Sequence, residues 1–134
     1  LSDFGFSYDS SLHPTWVPRR YINIFKKRKI HKTKGILQIP QSVLPLIRFP
    51  VFWLAFKNLG VGYSKLFTRI NMLSSDYTML LFHPWEFADL SNINIPRYIK
   101  QKHGNELLRM LEYYILFCKQ RYTFSTIKDH LNLS

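Results

Sequence analysis

At 134 residues the chain is long enough for one core and too short for two domains, so residues 1–134 are read as a single unit. Its aromatic content of 16% excludes a disordered tail, and its one cysteine, Cys118, excludes an internal disulfide and a cysteine-based zinc site. The net charge of +11 is uneven: twelve Lys/Arg and no Asp/Glu fall between positions 10 and 75, against seven basic and six acidic residues from 76 to 134. Such a field attracts polyanions.

In chain order, FGFSY (4–8) reads as a short strand running into the polar turn Asp9-Ser10-Ser11. Asp9 is either a turn residue bonding its own backbone or a site residue at a strand end. Residues 13–34 read as a long basic loop broken by Pro14 and Pro18. Its charges form a solvated face or, with Trp16, Tyr21 and Phe25 interleaved, a polyanion contact. There is no helix-turn-helix, RNA-binding or zinc-finger pattern, so no specific nucleic acid is expected.

GILQIP (35–40) reads as a second strand ended by Pro40. Residues 44–59 are the most apolar segment. At sixteen residues, interrupted by Arg48, Pro50 and Lys57, they are too short for a transmembrane helix. They read as a loop and short helix on the core. The alternative is an exposed aromatic lip at a pocket or membrane surface, with Phe49, Phe52, Trp53 and Phe56 as contacts. Residues 61–72 carry Tyr63, Leu66, Phe67 and Ile70 at helical spacing.

Residues 77–82, YTMLLF, have the length and two-sided apolarity of a buried parallel strand. Pro84 should end its pairing, which sets His83 at the strand's C-terminal end, where β/α folds build sites. His83 either satisfies a neighbouring backbone group or moves protons near neutral pH. Trp85 offers a flat face to a ligand ring, and Glu86 either orients the imidazole or accepts ligand hydrogen bonds. Pro96 suits a short helix start, Gly104 its stop, and Asn105 the cap of a further helix carrying Leu107, Leu108, Leu111, Ile115 and a buried Cys118. YTFSTI (122–127) alternates like a last strand. Helices between strands argue an α/β fold with a parallel sheet, too few strands to close a barrel but enough for half of one.

Three segments, GFSYDSSLHPT (5–15), GILQIPQSVLPLIRFPVFWLAFKNL (35–59) and FHPWEF (82–87), in that order, make the chain resemble the C-terminal half of bacterial polysaccharide deacetylases of the NodB-like type. The resemblance is to the branch linked to exopolysaccharide synthesis. It implies half of a distorted (β/α) barrel and hydrolysis of N-acetyl groups on an amino-sugar polysaccharide. It implies a cytoplasmic or inner-membrane-associated bacterial protein, with the missing N-terminal half of the domain as a partner; a membrane-surface contact is a separate reading, through residues 44–59 and the basic loop. His83 would be the general acid that protonates the leaving amine; Trp85, Glu86 and Asp9 would shape the sugar pocket. The implied cofactor is a divalent metal, zinc in most of the family. It would be held by Asp-Asp and His-x-x-x-His motifs upstream of GFSYDSS, which this chain lacks, so no residue here is expected to bind it. The chain departs from the family it resembles at Pro18-Arg19-Arg20, where the family often reads Pro-Gly-Arg, and at Phe25-Lys26-Lys27-Arg28-Lys29, where it reads Phe-Lys-Pro-Arg-Thr. Read this way, the chain is an excised piece of a longer protein and inactive alone.

Overall fold

The structure is a computed structural model that describes residues 4–17, 21–50 and 52–133. Five short strands come first: β1 (Tyr8–Asp9), β2 (Trp16–Val17), β3 (Tyr21–Ile22), β4 (His31–Thr33) and β5 (Ile36–Gln38). Helices follow: α1 (Trp53–Met72), α2 (Arg97–Lys100), α3 (Gly104–Lys119) and α4 (Ile127–His130), with a 3₁₀ turn at Pro84–Phe87.

The main sheet has the order β1-β5-β4. β1 runs parallel to β5, Tyr8 opposite Leu37, and β4 pairs antiparallel with β5. The β4–β5 turn is Lys34-Gly35, both with positive φ (48° and 83°), which matches the twist of a tight hairpin. β2 and β3 pair antiparallel. The stretch expected to be a long basic loop thus carries three of the five strands among the described residues. Pro18, Arg19 and Arg20 lie outside the described residues.

Helix α1 is two legs joined at Gly60, whose φ of 84° and ψ of 178° belong to a region only glycine occupies readily. The expected boundary between a short helix in 44–59 and a helix over 61–72 falls at this break. Trp53, Phe56 and Lys57 are buried on the first leg; Ser64, Phe67, Thr68 and Asn71 on the second, the 3–4 spacing of one buried helix face. The core joins Phe56 to Leu107, Tyr114, Phe117 and Cys118 of α3, with Leu80, Phe82 and Phe87 packed against it. Burial of Cys118 pushes its thiol pKa up; the Tyr114 hydroxyl bond and the nearby Lys65 and Arg121 charges partly counter that.

Three expectations are corrected. Residues 77–82 are half-buried but form neither strand nor helix, and no strand pairs with them among the described residues. Their backbone bonds go instead to Asn71 and Ser42 side chains and to the first N–H of α1, Trp53 N to Leu81 O at 3.0 Å. Apolarity and length favour burial; they do not supply a neighbouring strand. Residues 122–127 form no strand either: Thr126 caps α4, its hydroxyl accepting the Asp129 N–H at 3.1 Å. Gly104, with φ of 57°, opens α3 rather than closing α2, and His103 rather than Asn105 is the cap residue. The sheet is therefore mixed, and the described residues form no barrel, whole or half.

Candidate functional site

Pro84 starts the 3₁₀ turn, and Glu86 folds back onto the residue before it. The Glu86 N–H donates to the His83 carbonyl at 3.1 Å, while Glu86 Oε1 accepts the His83 backbone N–H at 2.8 Å and meets His83 Nδ1 at 2.7 Å. The carboxylate thus fixes both backbone and ring of His83. With Glu86 ionised, Nδ1 carries the proton it donates. Nε2 has no hydrogen-bond partner among the described residues, and the side chain is 38% exposed.

The first turn of α1 supplies the floor. Trp53 is buried; its ring meets Trp85 edge-on at 5.3 Å and His83 at 5.9 Å. Trp85 stacks on His83 at 5.8 Å with an interplanar angle of 22° and keeps 41% of its surface exposed. One turn along α1, Lys57 is fully buried. Its ammonium donates to Ile99 O at 2.7 Å and lies over the Trp53 ring, 5.6 Å from its centre.

Glu86 is also fully buried, and its Oε2 has no hydrogen-bond partner. Burial pushes its carboxyl pKa up, while the His83 bonds and the Lys57 charge pull it back; the net direction is up. Burial pulls Lys57 below the usual lysine range, against the Glu86 charge. With no surface to offer a sugar, Glu86 serves to orient the imidazole.

His83, Trp85 and Glu86 are therefore brought together, and Asp9 is not brought to them by any bond. Its Oδ1 accepts the Ser11 N–H and its Oδ2 accepts the Ser11 hydroxyl and the Gln38 amide, all at 2.9–3.0 Å. Partial burial raises the Asp9 pKa, but those bonds outweigh it and hold the group below the ordinary carboxylate range. Asp9 thus holds the turn after β1. Of the suggested aromatic lip, Trp53 and Phe56 are core residues. Phe49 and Phe52 line an apolar cavity of about 550 Å³ with Trp16, Ile47, Leu54 and Tyr98. Neither His83 nor Trp85 is in its wall, so the site is an open shelf.

In the sequence, Lys57 stands out only as a charge interrupting an apolar run. Its signal was its spacing, four residues after Trp53 on one helix face. No group of three His, Cys, Asp or Glu residues among those described could hold a metal ion. No helix among the described residues is long and apolar enough to cross a membrane. Comparisons of the chain with protein-family models, with characterised proteins and with solved structures find no match in any of the three.

Proposed function

We propose that the chain carries the proton-transfer and sugar-stacking side of a polysaccharide N-deacetylase site, with His83 as the group that moves the proton. The observation that carries this reading is the 2.7 Å contact between His83 Nδ1 and a buried carboxylate, beside an exposed indole. With Nδ1 held by the buried Glu86 carboxylate, Nε2 is the ring nitrogen left to face a substrate and to pass it a proton. When the C–N bond of the acetamido group breaks, that proton goes to the departing amine nitrogen, and Glu86 holds the ring still throughout. The exposed face of Trp85 suits the apolar face of a pyranose ring. Water activation is assigned to no residue of this chain.

The test is acetate release from N-acetylated chito-oligosaccharide by the polypeptide encoded in continuous frame with this chain. His83→Ala is expected to lower kcat by roughly 10²–10⁴, the usual scale of general acid–base work. A kcat near that of the unaltered protein would remove His83 from the chemistry. A frame with no Asp-Asp and His-x-x-x-His motifs would remove the deacetylase reading itself.

A further inference from the structure

We infer that the seam between α1 and α3 is a binding groove for single-stranded nucleic acid, read through its phosphates and one stacked base, without sequence preference. The inference does not rest on the deacetylase reading; its residues lie elsewhere. Val61 and Gly62 of α1 face Asn105, Glu106 and Met110 of α3 across a cavity of about 510 Å³ whose wall also holds Lys65, Arg109 and Tyr113. Further along, Lys65 and Arg69 of α1 and Arg121 all reach the Phe117 ring, at 5.2, 5.2 and 4.6 Å from its centre. Lys65 belongs to both groups, so the cations form one row. From Arg109 to Lys119, the last residue of α3, the row follows ten helix positions, about 15 Å, and Arg121 lies just past the helix end.

Three observations select the ligand. The row is uncompensated: every ion pair among the described residues involves a histidine, and none joins a Lys or Arg to a carboxylate. Glu106 is the one acidic residue in the cavity wall, at one end of the row. Three of the four cations are arginines, whose planar forks suit phosphate oxygens, and the Phe117 ring holds two of those three in place. Tyr113, between them, is 69% exposed and offers a face to a base. A flat bilayer covers convex surface and does not enter a seam between two helices; an extended strand does.

The experiment is fluorescence anisotropy of the full chain with a short labelled oligothymidylate, across a salt series. Binding is expected to weaken with salt, and each seam arginine changed to glutamine should reduce the log–log slope by about 0.7, the single-strand value per phosphate contact. The pair Arg69→Gln with Arg109→Gln should weaken binding at least tenfold at low salt. Neither residue has a hydrogen bond to lose, and an unchanged circular dichroism spectrum confirms folding. Arg109→Gln alone, which also leaves the Phe117 ring contacts untouched, should weaken it measurably. Tyr113→Ala should cost about tenfold and Tyr113→Phe little, as for stacking. The charge-matched pair Lys27→Gln with Lys29→Gln, on the exposed loop, should change affinity by less than about twofold. Equal losses from the loop pair and the seam pair would overturn the groove, as would indifference to Tyr113→Ala. So would seam-dependent capture by phosphatidylserine vesicles that the oligonucleotide does not displace.

Discussion

Phe56 and Phe6 are the same residue type in one chain, yet Phe56 exposes none of its surface and Phe6 exposes 58%. The difference belongs to their regions. Around Phe56, two helices and residues 80–87 turn apolar faces toward one another, with Phe82 and Tyr114 edge-on at 5.2 and 5.7 Å. Around Phe6, β1 is an edge strand; it pairs with β5 on one side, and Phe4 (83% exposed) and Phe6 face outward before it. The helical region is closed and carries the His83 shelf, while the sheet region is open. A site that must hold a ring and a carboxylate within 2.7 Å needs the closed region beneath it.

The sharpest way to break that contrast is truncation on each side. Phe56→Ala should destabilise by about 3–5 kcal/mol, the cost of removing a fully buried aromatic, while Phe6→Ser should stay within about 0.5 kcal/mol and improve solubility. Urea denaturation of both variants checks it; a large loss at Phe6 would mean that the sheet face is covered in solution.

Next in size is the join inside the closed region. A Cβ at Gly60 would meet nothing within 4 Å, so Gly60→Ala tests the backbone alone. At φ of 84° it should cost about 1–3 kcal/mol, read as a shifted urea midpoint. A neutral result would show that α1 straightens at no cost, and that the Trp53–Lys57 leg is not held by the break.

The shelf adds a pH signature that the sheet lacks. Glu86 has a folded-state pKa above its ordinary 4.5. Between those two values the folded protein binds more protons than the unfolded one, so stability falls as pH rises through the window. Its contribution is complete below 4.5 and lost above the folded pKa. Glu86→Gln should flatten that decline in a pH series of denaturation midpoints. Asp9, on the sheet side, is shifted the opposite way, so its contribution is present above its ordinary 3.8 and lost as pH falls. A decline that survives in the Gln variant would move its source away from the shelf.

How much of this was legible in the sequence follows the same division. The 61–72 helix, the buried Cys118 and the apolar character of 77–82 were readable, because periodicity reports which face a segment buries. The His83–Glu86 pair was readable as a neighbourhood, since three residues on a tight turn cannot lie far apart. Strand pairing was not: 77–82 bonds to Ser42, Asn71 and Trp53, and no local pattern names those partners. The β4–β5 hairpin was hidden because Lys34-Gly35 sits in a charge run, and the Lys, with φ of 48°, is an uncommon occupant of that turn. The burial of Lys57 depended on the carbonyl of Ile99, 42 positions away.

Two tyrosines give the finest test, because they differ in whether the two regions meet. The Tyr77 hydroxyl donates to Pro40 O at 2.7 Å, tying the helical side to the end of the sheet side. Tyr63 has a buried hydroxyl with no hydrogen-bond partner, and burial pushes its pKa up to about 12. Removing the first leaves a buried carbonyl unsatisfied, so Tyr77→Phe should cost about 1–3 kcal/mol. Removing the second discards a polar atom that gains nothing in the folded state, so Tyr63→Phe should be neutral or stabilising by up to about 1 kcal/mol. Measured by urea denaturation, the two changes should have different signs or sizes although each deletes one oxygen. Equal losses would mean that the Tyr63 hydroxyl is bonded in solution, and that the bond to Pro40 adds nothing to the joint between the two regions.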